Sequence, residues 1–272
     1  MELSDRMKDY ENHYRGKLPR KRFVIVRVDG DNFHAFGRHF CKPFDHEFHD
    51  LIRDAALMTS AEMQGFLAGY IQSDEVSFLL TDDMSEESQG WFDYQVNKIV
   101  STASARISVH LNRLMLMRAS VAAWDAHIEP KELAGWLPRC NHTPPSFDAR
   151  AFDLPDDEVI NYFFWRALDW HRNSVQMMAR SLYSQKQLQG KDQPAMHEMI
   201  HAVGKNWTND LPDWARNGTF IRRVAPYVNP HTNTSNGRTT VDITSELFSR
   251  REIAAFIQGA GNERVRARLQ SS

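Results

Sequence analysis

Arg27-Val28-Asp29-Gly30 and, further along, Gln72-Ser73-Asp74-Glu75 set carboxylates beside apolar, strand-like runs. The first motif follows Phe23-Val24-Ile25-Val26. The second lies between Phe66-Leu67-Ala68-Gly69-Tyr70-Ile71 and Val76-Ser77-Phe78-Leu79-Leu80. An acid where a strand ends in Asp-Gly, and acids carried by a tight turn, are groups that can converge on divalent metal. Two such ions activate an attacking oxygen and neutralise a triphosphate during in-line phosphoryl transfer. Taken singly, each motif is ordinary, because Asp-Gly is a common turn dipeptide and Asp-Glu often sits in a solvated hairpin. Their combination in one topology gives them weight.

The elements that must position these acids follow from hydrophobic periodicity. Residues 22–29 alternate and branch like a strand. From Pro43 to Met63 the pattern predicts a helix, with Phe44, Phe48, Leu51, Ile52, Ala55 and Met58 along one face. Residues 66–71 and 75–80 predict a hairpin around Ser73-Asp74. A second helix is expected from Glu86 to Arg113 along Val96, Ile99, Val100, Ala103 and Ile107, then a strand from Met117 to Trp124. The order β-α-β-β-α-β is that of an α+β, ferredoxin-like sheet, the palm of many polymerases and nucleotide cyclases. Its first and third strands are central antiparallel neighbours, so Asp29 at the end of one meets Asp74 at the start of the other.

The loop Pro138-Arg139-Cys140-Asn141-His142-Thr143-Pro144-Pro145 is the clearest break. It divides a palm-like core, residues 1–137, from a region of helices and a small hairpin, residues 138–272, packed on that core. In the second part a helix is expected from Asp157 to Gln189, capped by Asp156, and a shorter one over 194–203. Phe220 to Val228 and Thr239 to Ile243 predict a hairpin, and a last helix starts near Ser245.

A chain of 272 residues with 42% hydrophobic content can bury a proper core. No run approaches the roughly 20 apolar residues of a membrane span, and the charged N-terminus does not read as a secretory signal. Cys41 and Cys140 are the only cysteines, which points to a reducing, cytoplasmic setting rather than a disulfide framework. A net charge of -2 excludes a uniformly basic nucleic-acid binder. Arg15, Lys17, Arg20, Lys21 and Arg22 nevertheless form a local basic cluster, and Arg264, Arg266 and Arg268 form another that reads as solvated surface. His34, His39, His46 and His49 lack cysteine partners at zinc-site spacing, so no zinc centre is expected.

In order along the chain, residues 27–36, Lys42-Pro43-Phe44-Asp45, residues 69–78, Phe147-Asp148-Ala149-Arg150 and Asn161-Tyr162-Phe163-Phe164-Trp165-Arg166 form a series. His171-Arg172-Asn173-Ser174 and Asn217-Gly218-Thr219 continue it. The series resembles the tRNA-His guanylyltransferase family, including its reverse-polymerase relatives, over residues 5–245. The resemblance implies an enzyme that extends tRNA at its 5′ end. It activates the 5′-monophosphate with ATP, and the 3′-hydroxyl of an incoming nucleotide, usually GTP, then attacks. It also implies a homotetramer, no membrane association, and tRNA held by its acceptor end.

Carried over residue by residue, the resemblance makes Asp29 and Asp74 the carboxylates of two Mg²⁺ ions, with the Gly30 carbonyl as a further ligand and Glu75 as an adjacent essential acid. Oxygen ligands suit Mg²⁺. Lys42 and Asp45 match contacts to the activating nucleotide, and Lys98 matches a lysine that supports a triphosphate, with Arg27 as its companion. Backbone donors at Asn32, Phe33 and His34 and the Ser73 hydroxyl are candidates for phosphate oxygens, while Asp31 departs from a position that is often basic or polar. His171 and Asn173 are candidates for the tRNA 5′ end. Arg172-Asn173-Ser174 departs from the His-Ile-Asn-Asn of eukaryotic members, which favours template-dependent 5′-end repair over strict addition of one G. A nucleotide cyclase, a conventional palm polymerase, or a catalytically silent RNA-binding protein are the competing readings.

Overall fold

The computed structural model describes residues 2–37, 40–124, 144–224 and 240–270. Its core is one antiparallel sheet in the order β4-β1-β3-β2-β5-β6. The strands are β1 Phe23–Asp31, β2 Phe66–Gln72, β3 Glu75–Thr81, β4 Ser146–Leu154, β5 Thr219–Val224 and β6 Thr240–Thr244. The helices that serve the argument are α1 Leu3–Asn12, α2 Phe33–Phe36, α3 His46–Ala61, α4 Val96–Trp124 and α5 Val159–Leu182. After them come α6 Gln193–Ala202, α7 Asp213–Asn217, α8 Arg250–Gln258 and α9 Glu263–Gln270.

Strand alternation divides the core in two. Val24, Val26 and Val28 face a cluster with Leu51, Ile52 and Ala55 of α3 and Ile99, Ala103 and Ile107 of α4. Phe23 and Ile25 face the other way, against Val159, Ile160 and Phe163 of α5 and Ile253 and Ile257 of α8. Both faces are covered, which is why Phe23-Val24-Ile25-Val26 is apolar without a break. The central pair is β1 with β3, in the register Arg27↔Ser77 and Val28↔Val76.

The strand expected from Met117 to Trp124 is a helix. Ile99, Ala103, Ile107, Leu111, Met115 and Ala119 recur every four residues and are all buried, so the apolar stripe of α4 runs straight through that segment. The strand beside β1 is instead Ser146–Leu154, paired from Phe23↔Leu154 to Asp31↔Ser146. Its alternation is plain in hindsight: Phe147, Ala149 and Ala151 pack on the α3/α4 side, Phe152 and Leu154 on the α5 side.

The smaller differences are local. The helix expected from Pro43 begins at His46, because Asp45 caps it. The one expected from Glu86 begins at Val96, after a tight turn at Trp91–Tyr94. The long helix ends at Leu182, and a separate turn, Gln185–Leu188, follows with Ser184 and Gln187 as a capping box. The last helices start at Arg250, where Ser249 and Glu252 cap each other. The expected hairpin, β5 and β6, joins the main sheet through β2, so the sheet draws strands from both sides of residue 138. The break at 138–143, the turn at 229–234 and His39 lie outside the described residues.

Two of the basic clusters are consumed by the fold. Arg20 bonds Asp82 at 2.7 Å, while Arg264 and Arg268 reach Asp83 at 2.9 and 2.8 Å. Arg268 also holds Asp156 at 2.6 Å, so these ion pairs fasten α9 to the sheet at the edge remote from Asp29. Among the described residues no helix is long and apolar enough to cross a membrane.

Gly65, entering β2, has φ +79° and its missing Cβ would lie 2.1 Å from the Thr81 carbonyl oxygen. Gly65→Ala is therefore expected to lower the unfolding free energy by about 1–3 kcal/mol. Urea denaturation checks this, and a change under about 0.5 kcal/mol, typical of a neutral surface site, would contradict the close approach.

Candidate active site

The end of β1 and the β2–β3 turn form one sheet edge. The register that pairs Val28 with Val76 brings Asp29 alongside Glu75, and Ser73, at φ 52°, turns the chain so that Asp74 stands next to both. Burial raises the Asp74 carboxyl above its ordinary range, and the negative charge of Asp29 raises it further, against donation from its own backbone amide and the Ser73 hydroxyl. Gly30 pairs with Phe147 in the ladder, and the Phe33 ring occupies the place a Cβ would need.

Glu75 is held differently. Arg166 of α5 donates Nε to one carboxylate oxygen and Nη2 to the other, each at 2.8 Å, while Gln72 donates to the first at 3.2 Å. Arg27 lies 3.9 Å away, with its Nε buried and without a hydrogen-bond partner. Burial raises Glu75, and the charges of Arg166 and Arg27 oppose that. Arg166 extends the chain of charge to Asp169 at 3.3 Å, which also accepts from Arg172 at 2.7 Å and from Asn173 at 3.4 Å.

The donor set fits Mg²⁺. Asp29 and Asp74 are hard oxygen ligands whose mutual repulsion a divalent cation would relieve. Among the described residues there is no group of three or more His, Cys, Asp or Glu arranged to hold a metal. Mg²⁺ is rarely caged by protein alone; it keeps waters and takes substrate phosphate oxygens, which a two-carboxylate edge leaves room for.

Beside this edge opens a cleft of about 500 Å³. It brings together Lys42, Asp45, Ser73 and Asp74 with aromatic side chains that include Phe33, Phe44, Phe48, Trp170 and Trp214. His49 is stacked on Trp214 at 4.2 Å with 14° between the rings, and its Nε2 lies 3.3 Å from the Thr219 hydroxyl. Burial pushes its pKa down to about 3, so the ring is neutral. Asp45 uses both oxygens on the backbone, accepting from Phe48 at 2.9 Å and Cys41 at 2.7 Å; it shapes the loop under the cleft. Lys42, exposed, donates to the Gly37 carbonyl at 2.9 Å.

The other candidates divide. Asn32, at φ 56°, opens the single turn α2, which also holds Phe33 and His34; Asp31 is exposed at the end of β1. Asn173 is exposed on α5, between Trp170 and Met177, both of which line the cleft. His171 points elsewhere, packing against Trp207 and Phe248 at 4.6 and 5.2 Å, and burial lowers its pKa. Lys98 is not brought to the cleft. It lies in the first turn of α4, where Val96 bonds Gly16 and Tyr94 bonds Asp82, at the end of the sheet opposite Asp29. Arg166 and His49 had no assigned role in the sequence reading. Nothing local marks either one: Arg166 meets Glu75 across 91 residues, and His49 reads as one more position on an amphipathic helix.

A sheet edge of paired acids beside an aromatic cleft is an arrangement suited to a nucleotide-handling enzyme. The family model for tRNAHis guanylyltransferase (Thg1) matches residues 4–155. A bacterial tRNA(His) guanylyltransferase (Thg1)-like protein, solved in complex with ATP, is 31% identical and superposes with a TM-score of 0.77, covering 95% of this chain and 99% of that one. A bacterial Thg1-like protein in complex with GTP gives 27% identity and a TM-score of 0.70 over the same shares. The human probable tRNA(His) guanylyltransferase is 26% identical over 213 residues, 73% of this chain and 64% of the human protein. The chain belongs to the tRNAHis guanylyltransferase family, whose members are nucleotidyltransferases.

Two expectations follow from the geometry. Arg166→Met takes both charge-assisted hydrogen bonds from the largely buried Glu75, leaving it only Arg27 at 3.9 Å, and is expected to cost about 3 kcal/mol, part of which Glu75→Gln in the same chain restores. A double-mutant cycle by chemical denaturation measures the coupling, and additive effects would disprove it. His49 stays neutral in the fold down to about pH 3, whereas unfolded histidine protonates near 6.5. Its stabilisation is therefore full above that value and is lost as pH falls through the window between them. From pH 8 to pH 5 the loss is about 2 kcal/mol, and His49→Phe should remove that share of the pH dependence in parallel denaturation curves.

Proposed function

We infer that this chain is a magnesium-dependent nucleotidyltransferase that extends the 5′ end of tRNA in the 3′–5′ direction on a palm-like sheet. The observation that carries the reading is the meeting of Asp29 with Asp74, which itself lines an aromatic cleft of nucleotide size, in a chain of this family. ATP and GTP as substrates are supported by similar proteins solved with each.

Asp29, Asp74 and the Gly30 carbonyl would hold two Mg²⁺ ions. Bound there, the ions would neutralise phosphate charge and sharpen the attacking oxygen. The chain's own side chains do the rest. The walls of Phe44, Phe48, Trp170 and Trp214 stack a base and exclude water. Lys42, the Ser73 hydroxyl and the backbone amides of Asn32, Phe33 and His34 meet the phosphates, with Asp31 at the rim. Asp45 fixes that loop, and Arg166 with Arg27 holds Glu75 in one orientation. In the first step a 5′-phosphate oxygen of the RNA attacks the α-phosphorus of ATP and pyrophosphate leaves. In the second, the 3′-hydroxyl of GTP, or of a templated nucleotide, loses its proton and attacks the 5′ phosphorus, and AMP leaves. Alignment of these groups supplies much of the rate.

The reading extends, on the family resemblance, to a homotetramer working in the cytoplasm on the tRNA acceptor stem, with a catalytic core that takes in β4 and α5 as well as residues 1–137. Template-dependent repair is favoured over strict G addition by Arg172-Asn173-Ser174, where Asn173 is exposed on α5. A silent RNA-binding protein fits less well, since the repulsion between Asp29 and Asp74 costs stability unless a cation is used there. A cyclase or conventional palm polymerase would use the same acids, and the motifs beyond Pro145 favour the tRNA family over either.

Asp29→Ala and Asp74→Ala are each expected to abolish nucleotide addition without loss of the fold, because each removes a ligand rather than a core contact. Near-normal turnover of either in magnesium would reject the site. On tRNA lacking one 5′ nucleotide, changing the opposite template base from C to A should change the added nucleotide from G to U, read by product sequencing. Continued G addition confined to full-length tRNA-His would reject repair and leave strict guanylyltransfer.

A further inference from the structure

The acids at the end of β1 have two flanks, and the cleft occupies one. In-line displacement requires attacking and leaving groups on opposite sides of the phosphorus, so a second reactant must approach from the other flank. There β4 lies beside β1 in the register Arg27↔Arg150 and Asp29↔Asp148, which sets these side chains on the sheet face that carries Asp29. Tyr162 of α5 crosses that face, its hydroxyl 2.8 Å from Ser77, and Arg166 follows one turn later on Glu75.

Trp165 stands between these two anchors and is 50% exposed. Trp165 and Trp170 are five residues apart and project about 140° apart around α5, so one lines the cleft and the other faces away from it. The Arg166 guanidinium carbon sits 4.7 Å from the Trp165 ring centroid, and the Tyr162 ring meets it edge-on at 5.9 Å. A large apolar ring left in water at a catalytic edge, yet held by the same arginine that holds Glu75, is built as a stacking platform. Arg150 on β4 and Arg172 on α5 are 51% and 60% exposed and can meet phosphates.

We propose that Trp165 stacks on the terminal base at the 5′ end of the RNA acceptor and seats that end beside Asp29. The proposal rests on the reading of the chain as a 5′-end nucleotidyltransferase, and deepens it by naming what holds the second substrate. Stacking is indifferent to base identity, so Trp165 serves position rather than sequence choice.

The test uses the full-length chain and a 5′-monophosphorylated acceptor-stem hairpin, lacking one 5′ nucleotide, whose terminal base is 2-aminopurine. Binding to the wild type should quench its fluorescence, as indole stacking does. Trp165→Ala and Trp165→Leu should abolish the quench and raise Kd roughly 5- to 100-fold, with Trp165→Phe near the wild type. Binding of ATP alone and the unfolding midpoint should be unchanged, which separates the effect from misfolding. An unchanged quench and Kd in both the Ala and Leu variants would overturn the proposal while leaving 5′-end transfer intact. So would a change confined to oligomer mass, since a second copy of the chain would then cover the ring. A wild type that neither binds nor extends the hairpin would overturn both readings.

Discussion

Pairing β1 with β3 in the register Val28↔Val76 forces Asp29, Asp74 and Glu75 to one sheet edge. Burial, helped by the nearby negative charge of Asp29, shifts both Asp74 and Glu75 toward the protonated form. The rest of the molecule is arranged around that cost. Arg166 offsets part of it by taking Glu75 in a bidentate grip, which ties α5 to the sheet. The charge of Asp29 and Asp74 is left open, and a cation can answer it.

The same helix organises both flanks of the edge. Trp170 closes one wall of the cleft and meets Phe44, which in turn meets Trp214. Tyr162 and Arg166 bind the sheet, and Trp165 is left facing outward between them. Ionic pairing at the opposite end of the sheet, where Asp82 and Asp83 gather Arg20, Arg264 and Arg268, closes the C-terminal helices over the core. Charge is thus split by place: neutralised where the chain is fastened, and, at the candidate site, answered by arginine at Glu75 but by no cationic side chain among the described residues at Asp29 and Asp74.

Several elements were legible because their signals are local. The β2–β3 hairpin and the acids of its turn, α3, and the presence of a final helix all depend on neighbours in sequence. The strand read at Met117–Trp124 failed because a Met- and Ala-rich segment continued the four-residue stripe of α4, a pattern that outlasts the helix end expected near Arg113. Ser146–Leu154 escaped notice because small alanines carry half of its alternation, so the period of two is weak in hydrophobicity although the strand is partly buried on both faces.

For this protein, residue types and spacing alone determined the central antiparallel pair and the meeting of Asp29 with Asp74. These follow from strand period and hairpin connectivity, which short-range sterics and solvation impose. Tertiary structure decided the rest. It gave Glu75 its partner in Arg166, turned Asp45 into a cap and His171 into a packed ring, and set Lys98 at the far end of the sheet. The physical reason is that a side chain's charge state and partners depend on which distant segment shares its low-dielectric surroundings, and no periodicity encodes that.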